Sequence, residues 1–498
     1  MSGKDSEDTV SAMNGLASIY ANLGRDADAL ALYEAGLKIL VAKNGPRHRD
    51  NMVLRHNVAS SLLELGRDAE AQKLAEENVE LSRTFYGDEH PATLAELEFL
   101  SAVHKVLGRF DESLAIKQRV LAVRHVKLGD DHPHTVASRF NLASLLSDLG
   151  RFEEALTIRR ELAESSVKTR GPDNPLTLLD QSALATSYID VGRPKDGAKL
   201  AQETLTILEK RLGNDHPTTI RTRGVLATAY SALDRHDDAL ALERETLDIC
   251  REKLGPRHPT TMTTLHNLAV KLAACGKLAE ALALDEDLLK MKREKWGDDH
   301  LDVLTSMNNV AVTYHKLGRF DEALELHRVV LDKRRKKLPP THPFVITSLR
   351  NLADTYESLN RPQDALKQLE EIVDLQRAER GAEHRETVNA MHDLALKYFK
   401  HARQADARAL QETVLARRRA DLPAGDPATI VAMTNLATTD QALGRAAKPR
   451  NWPARRPRCN ARITATIIRP RRPYCTTSPR SCTDSANSTM RSSWKRKS

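Results

Sequence analysis

Asparagine recurs at one spacing along this chain: Asn57, Asn141, Asn267, Asn309, Asn351 and Asn435, with every gap 42 residues or a multiple of it and Asp393 in the same slot. A primary amide carries both donor and acceptor. A row of them can grip the main chain of an extended peptide without reading its side chains. The competing role is a scaffold hydrogen bond between adjacent repeats, and the sequence leaves the two open. The slot before is polar or charged in several copies: His56, His266, Asn308, Arg350 and His392. Arg350 and Lys316 would suit an acidic group on a ligand, or be ordinary solvated charges.

A second column, His90, His132, His216, His258, His300, His342 and His384, invites a metal reading. One histidine per repeat spaces successive members by about 10 Å or more, whereas a metal needs its ligands near 2 Å on one centre. Each precedes a proline or stands in that slot, so these histidines are expected at turns and helix starts. Catalytic readings fail: there is no GxxxxGK[ST], GxSxG or HExxH pattern, and Gly276-Lys277 belongs to a repeated turn. No catalytic residue, metal or cofactor is expected.

The elements that position these columns follow from the period. Gly24, Gly66, Gly108, Gly150, Gly192, Gly276, Gly318 and Gly444 share one slot, with Asp234, Asn360 and Ala402 replacing glycine; a basic residue follows nearly throughout. Half a period away stand Gly87, Gly129, Gly171, Gly213, Gly255, Gly297 and Gly381, with Pro339 and Pro423 substituting. Each copy reads as two helices. The first carries Leu-Ala, as at Leu142-Ala143, Leu184-Ala185, Leu226-Ala227 and Leu268-Ala269, then a large residue such as Tyr188, Tyr230, Tyr314, Tyr356 or Tyr398. The second carries stripes such as Ala239-Leu240-Leu242. Spacings of three and four put each set on one helical face. Glycine suits the left-handed helix end, and Pro91, Pro133, Pro217 and Pro259 suit a first helical turn. The turn at Ala402 is expected to be strained or reshaped.

This Leu-Ala, Tyr, Gly-Arg, Glu-Ala-Leu pattern resembles the tetratricopeptide repeat. The 42-residue period, with Gly-Asp-Asp-His between copies and Asn-Asn-Val-Ala within them, is similar to the kinesin light chain subtype. The resemblance covers about residues 8–445. It implies an all-α, right-handed superhelical solenoid of about ten and a half antiparallel helix pairs, with first helices lining a concave groove. There, the resemblance makes Asn57, Asn141, Asn267, Asn309, Asn351 and Asn435 readers of a peptide backbone, with His266, Asn308, Lys316 and Arg350 beside them. The implied function is a protein-interaction scaffold for an extended peptide or a partner domain. The alternative is the sensor arm of a signalling ATPase system whose nucleotide-binding domain lies outside this chain; a P-loop frame next to the coding sequence would favour it.

Composition bounds the rest. Five cysteines lack CxxC spacing, Met1–Asp8 lacks an apolar h-region, and no run approaches 18 apolar residues. The expectation is a cytoplasmic protein with free thiols and no membrane span. The net charge of +8 divides unevenly: residues 446–498 hold 14 of the 76 Lys and Arg but 1 of the 68 acidic residues, which leaves the repeats at −5. The groove has no aromatic ladder, so no nucleic acid is expected there. Residues 1–7 are read as a disordered end.

From Pro449 onward there is no Leu, Val, Gly, Glu, Gln, Phe or His. Codons shifted across Tyr474, Cys475 and the following residues permit Leu-His-Asn-Leu-Ala in the repeat register. The tail, 446–498, is therefore read as a frameshifted continuation, with a disordered basic segment as the alternative.

Overall fold

The computed structural model of the protein describes residues 7–22, 25–422 and 425–445, so the readings of the 446–498 tail and of residues 1–6 fall outside the described residues. Among the described residues twenty-one α-helices follow in the order α1 (Glu7–Asn22), α2 (Asp26–Asn44), α3 (Met52–Glu64), α4 (Asp68–Tyr86), α5 (Pro91–Val106), α6 (Phe110–Leu128), α7 (Pro133–Asp148), α8 (Phe152–Arg170), α9 (Pro175–Asp190), α10 (Pro194–Leu212) and α11 (Pro217–Ala232). They continue with α12 (His236–Lys253), α13 (Pro259–Ala274), α14 (Leu278–Trp296), α15 (Leu301–Lys316), α16 (Phe320–Lys337), α17 (Pro343–Ser358), α18 (Pro362–Arg380), α19 (Arg385–Lys400), α20 (Gln404–Asp421) and α21 (Pro427–Ala442). There is no strand among the described residues. The chain is an all-α superhelical solenoid of antiparallel helix pairs.

Small residues set the packing. Ala143, Ala155, Ala185, Ala201, Ala227, Ala311 and Ala323 are fully buried, so helices approach closely, and leucines fill the spaces between them. Successive first helices touch, as α9 with α11, α11 with α13 and α15 with α17, whereas no two successive second helices pack comparably. The layer with the shorter repeat spacing is the inner side of the curve, so the odd-numbered helices line it.

Two irregular copies carry their own compensation. In the third, Ser101 and Ser113 replace alanines, and each hydroxyl donates to the other's carbonyl, at 3.1 and 2.8 Å. In the fifth, a Cβ on Gly197 would lie 2.8 Å from the Ala185 carbonyl and from Ile189, so only glycine fits there.

The turn slot keeps its geometry whatever residue fills it. Gly66 has φ +70°, while Asp234, Asn360 and Ala402 have φ +60°, +56° and +60°. Arg403 N–H still reaches Tyr398 O at 2.8 Å, as Arg67 N–H reaches Leu62 O, which is the six-residue closure of a Schellman turn. The turn at Ala402 is thus not reshaped. A left-handed conformation costs an L-residue roughly 1–2 kcal/mol, partly offset because glycine costs about 0.4–1 kcal/mol more unfolded-state entropy. Ala402→Gly should therefore stabilise the protein by about 0.5–1 kcal/mol, read as a higher urea midpoint; a lower midpoint would contradict a strained turn.

Candidate functional site

The inner wall is built from residues one helical turn apart on the odd-numbered helices. Seven of them, α5, α7, α11, α13, α15, α17 and α19, start on the histidine column, and Asn174 and Asp426 hold its slot before α9 and α21. Nδ1 of His90, His132, His216, His258, His300, His342 and His384 accepts the backbone N–H two residues on, at 3.1 to 3.2 Å. A helix begins with unsatisfied N–H groups, and the ring supplies an acceptor. The column is thus a row of N-caps, as its place before proline suggested. The basic slot after each turn has an equally local cause. Arg319 lies over the Tyr314 ring, 4.2 Å from its centroid, and grips Glu322; Arg25, Arg235 and Arg403 repeat the arrangement on Tyr20, Tyr230 and Tyr398.

The ten sequence-named residues fall into two groups. Asn57 donates to Asn14 at 2.8 Å, and Asn351 donates to Asn308 at 2.9 Å. Asn308 is 3 % exposed. Arg350 pairs with Asp393 at 2.6 Å. These are bonds between neighbouring first helices, so Asn308 and Arg350 have partners within the scaffold. By contrast, the amides of Asn141, Asn267, Asn309 and Asn435 make no side-chain hydrogen bond to another described residue.

A diagonal relation separates Asn57 and Asn351 from Asn267. Each scaffold bond joins positions 43 residues apart. For Asn57 and Asn351 the residue 43 positions earlier is an asparagine; for Asn267 it is Gly224, which has no side chain to meet it. That signal was present in the sequence and is visible only when the repeats are read along the diagonal.

Around Asn267 and Asn309 the wall carries few charges. His266 is held neutral: burial pushes its pKa down to about 4, with Lys292 and Lys271 adding in the same direction. Desolvation also lowers the Lys316 ammonium, while Asp285 partly restores it. Sequence reasoning passed over Arg221 on α11. It is exposed by area, yet desolvation lowers its pKa, and among the described residues no carboxylate pairs with it. In the next three repeats its column reads Thr263, Thr305 and Thr347, and a lone cation ahead of that run was the available signal. The arrangement therefore offers free amides and two cations without a salt-bridge partner among the described residues, on a wall otherwise lined by Thr228, Thr263, Val270 and Val312. Among the described residues no helix is long and apolar enough to cross a membrane.

One tetratricopeptide repeat family model matches residues 93–165, 176–252, 260–336, 302–378 and 344–420, and a second matches 9–50 and 52–92. No curated protein matches the chain. Among solved structures, the chain is similar to the nearly identical TPR-like repeats assigned to a kinesin light chain of Podosopora anserina. Identity is 28 %, TM-score 0.38, and the match covers 42 % of this chain and 98 % of that one. It is also similar to BtubC of P. vanneervenii, with 19 % identity, TM-score 0.37, and coverage of 49 % and 92 %. A third is a Rap protein complexed with competence and sporulation factor, with 14 % identity, TM-score 0.44, and coverage of 78 % and 99 %.

Proposed function

The chain belongs to the tetratricopeptide repeat family, and from that premise we propose that it is a cytoplasmic, non-enzymatic scaffold whose inner groove grips an extended peptide by its backbone. The observation that carries this reading is the pair of adjacent free amides, Asn267 and Asn309, one repeat apart on α13 and α15. Asn57 and Asn351 in the same column are tied into the scaffold; these two leave donor and acceptor uncommitted on the groove side. Lys316 and Arg221 add cations for an acidic side chain or carboxylate on the same peptide.

Capture of a ligand on the full chain, followed by titration, supplies the test. Replacing both amides, Asn267→Ala with Asn309→Ala, should weaken a captured peptide by roughly 1–3 kcal/mol, because each loss leaves ligand polar groups unmet. The circular dichroism of the array should stay unchanged, since neither side chain holds the scaffold. Undiminished affinity in the double variant would refute the proposal.

A further inference from the structure

The superhelix closes on itself. His300 Nε2 lies 2.8 Å from the carbonyl of Glu64, and His342 Nε2 lies 2.6 Å from that of Val106, each pair 236 residues apart. Because Nδ1 of both rings already accepts an N–H, the ring proton sits on Nε2 and is donated to the carbonyl. Arg385 donates to Leu149 O at 3.3 Å with the same separation, and Arg380 donates to Gly108 O at 3.1 Å.

These contacts place the start of α15 on the end of α3, α17 on α5 and α19 on α7. First helices six repeats apart are therefore stacked end to end. The orphan carbonyls at one helix terminus meet the donors capping the next, and the two dipoles align head to tail. The seam is tight: a Cβ on Gly108 would lie 2.4 Å from Cδ of Pro343, and Leu301 sits 3.4 Å from the same position on Gly66.

Six first helices, α3 to α13, thus make one turn before α15 meets α3.

We infer that the groove is a closed tube, admitting an extended polypeptide segment through its ends and excluding folded domains unless the seam between α3, α5, α7 and α15, α17, α19 parts. This rests on the groove reading above and narrows it to unstructured partners.

The test needs no ligand. In the full chain, Asn309→Cys places a thiol on the inner wall and Glu325→Cys places one on the exposed face of α16. Each is labelled with N-ethylmaleimide or with a maleimide carried on a small folded protein, and the site is read by peptide mass spectrometry. The protein-borne reagent should be at least about tenfold slower at 309 than at 325, relative to the small one, because it must wait for a rarely populated opening. Gly108→Ala should narrow that gap. Gly150→Ala should not, since it shares the backbone conformation but a Cβ there meets nothing within 4 Å. Equal rate ratios at 309 and 325 would overturn the closed tube, and equal effects of Gly108→Ala and Gly150→Ala would overturn the seam. Either result leaves the two-asparagine test standing, so the two failures are distinguishable.

Discussion

Replacing Lys271 by alanine should cost about 3–5 kcal/mol, the loss expected when one member of a buried ion pair is removed. Lys271 Nζ lies 2.7 Å from Glu243, whose side chain is 2 % exposed. Without the ammonium, a carboxylate is left in the core with no partner. The converse change should be milder. The Lys271 head retains a path to solvent at 11 % exposure, and its stem can carry the charge outward once Glu243→Ala removes the acid. The double variant, Lys271→Ala with Glu243→Ala, should recover at least half of the single loss. The chain contains its own precedent, because Ala201 and Ala229 occupy the same two slots one repeat earlier and are fully buried. Chemical denaturation of the three variants decides it. A double variant as unstable as Lys271→Ala would mean that the loss comes from the cavity and not from the orphaned charge.

The same pair of slots shows what was legible in the sequence and what was not. The period, the helix pairs and the turn glycines were legible because each is a local requirement repeated in register; the Schellman turn recurs at Gly66, Gly108 and Gly150 for the same backbone reason. The histidines were placed correctly at helix starts because a residue before proline at that spacing has a local task. Fates that depend on a second repeat were not legible along one column. Asn57 and Asn267 look alike until the residue 43 positions earlier is consulted. Gly108 and Gly150 are equivalent in sequence and in φ, yet only Gly108 lies under Pro343, because that contact depends on the pitch of the whole superhelix. The N-cap role of His300 and His342 was written locally; their second hydrogen bond, to a helix six repeats away, was not. Of the two outcomes expected at Ala402, strained or reshaped, the turn takes the first: the hydrogen bonds from His401, Ala402 and Arg403 hold alanine in the geometry that glycine adopts elsewhere.

His327 should make the array acid-labile, and His327→Leu should remove that lability. Its ring is 1 % exposed and Nδ1 has no hydrogen-bond partner. Burial, chiefly, lowers its pKa from 6.5 to about 3, and the nearby His315 and Arg334 side chains act in the same direction. Between those two values the unfolded chain binds a proton that the folded chain does not, so stability rises with pH across this window and is lost as pH falls below 6.5. At pH 8 the ring is neutral in both states and contributes nothing to the pH dependence. At pH 4.5 the deficit is two pKa units, or about 3 kcal/mol. Leucine occupies the equivalent slot at Leu369, where it is buried, so the substitution has a tested fit within the chain. The whole-protein curve will not isolate this effect. His266 and His342, each lowered to about 4, act in the same direction. Burial raises Asp68 and Asp285 to about 6, and they act oppositely: the folded state holds their protons between 3.8 and 6, so acid favours it through them. The difference between variant and parent cancels those shared terms. His327→Leu should therefore gain about 3 kcal/mol more at pH 4.5 than at pH 8 by denaturant unfolding. A gain independent of pH would show that the ring titrates normally in the fold, and that its burial is relieved by a movement of α16 on protonation.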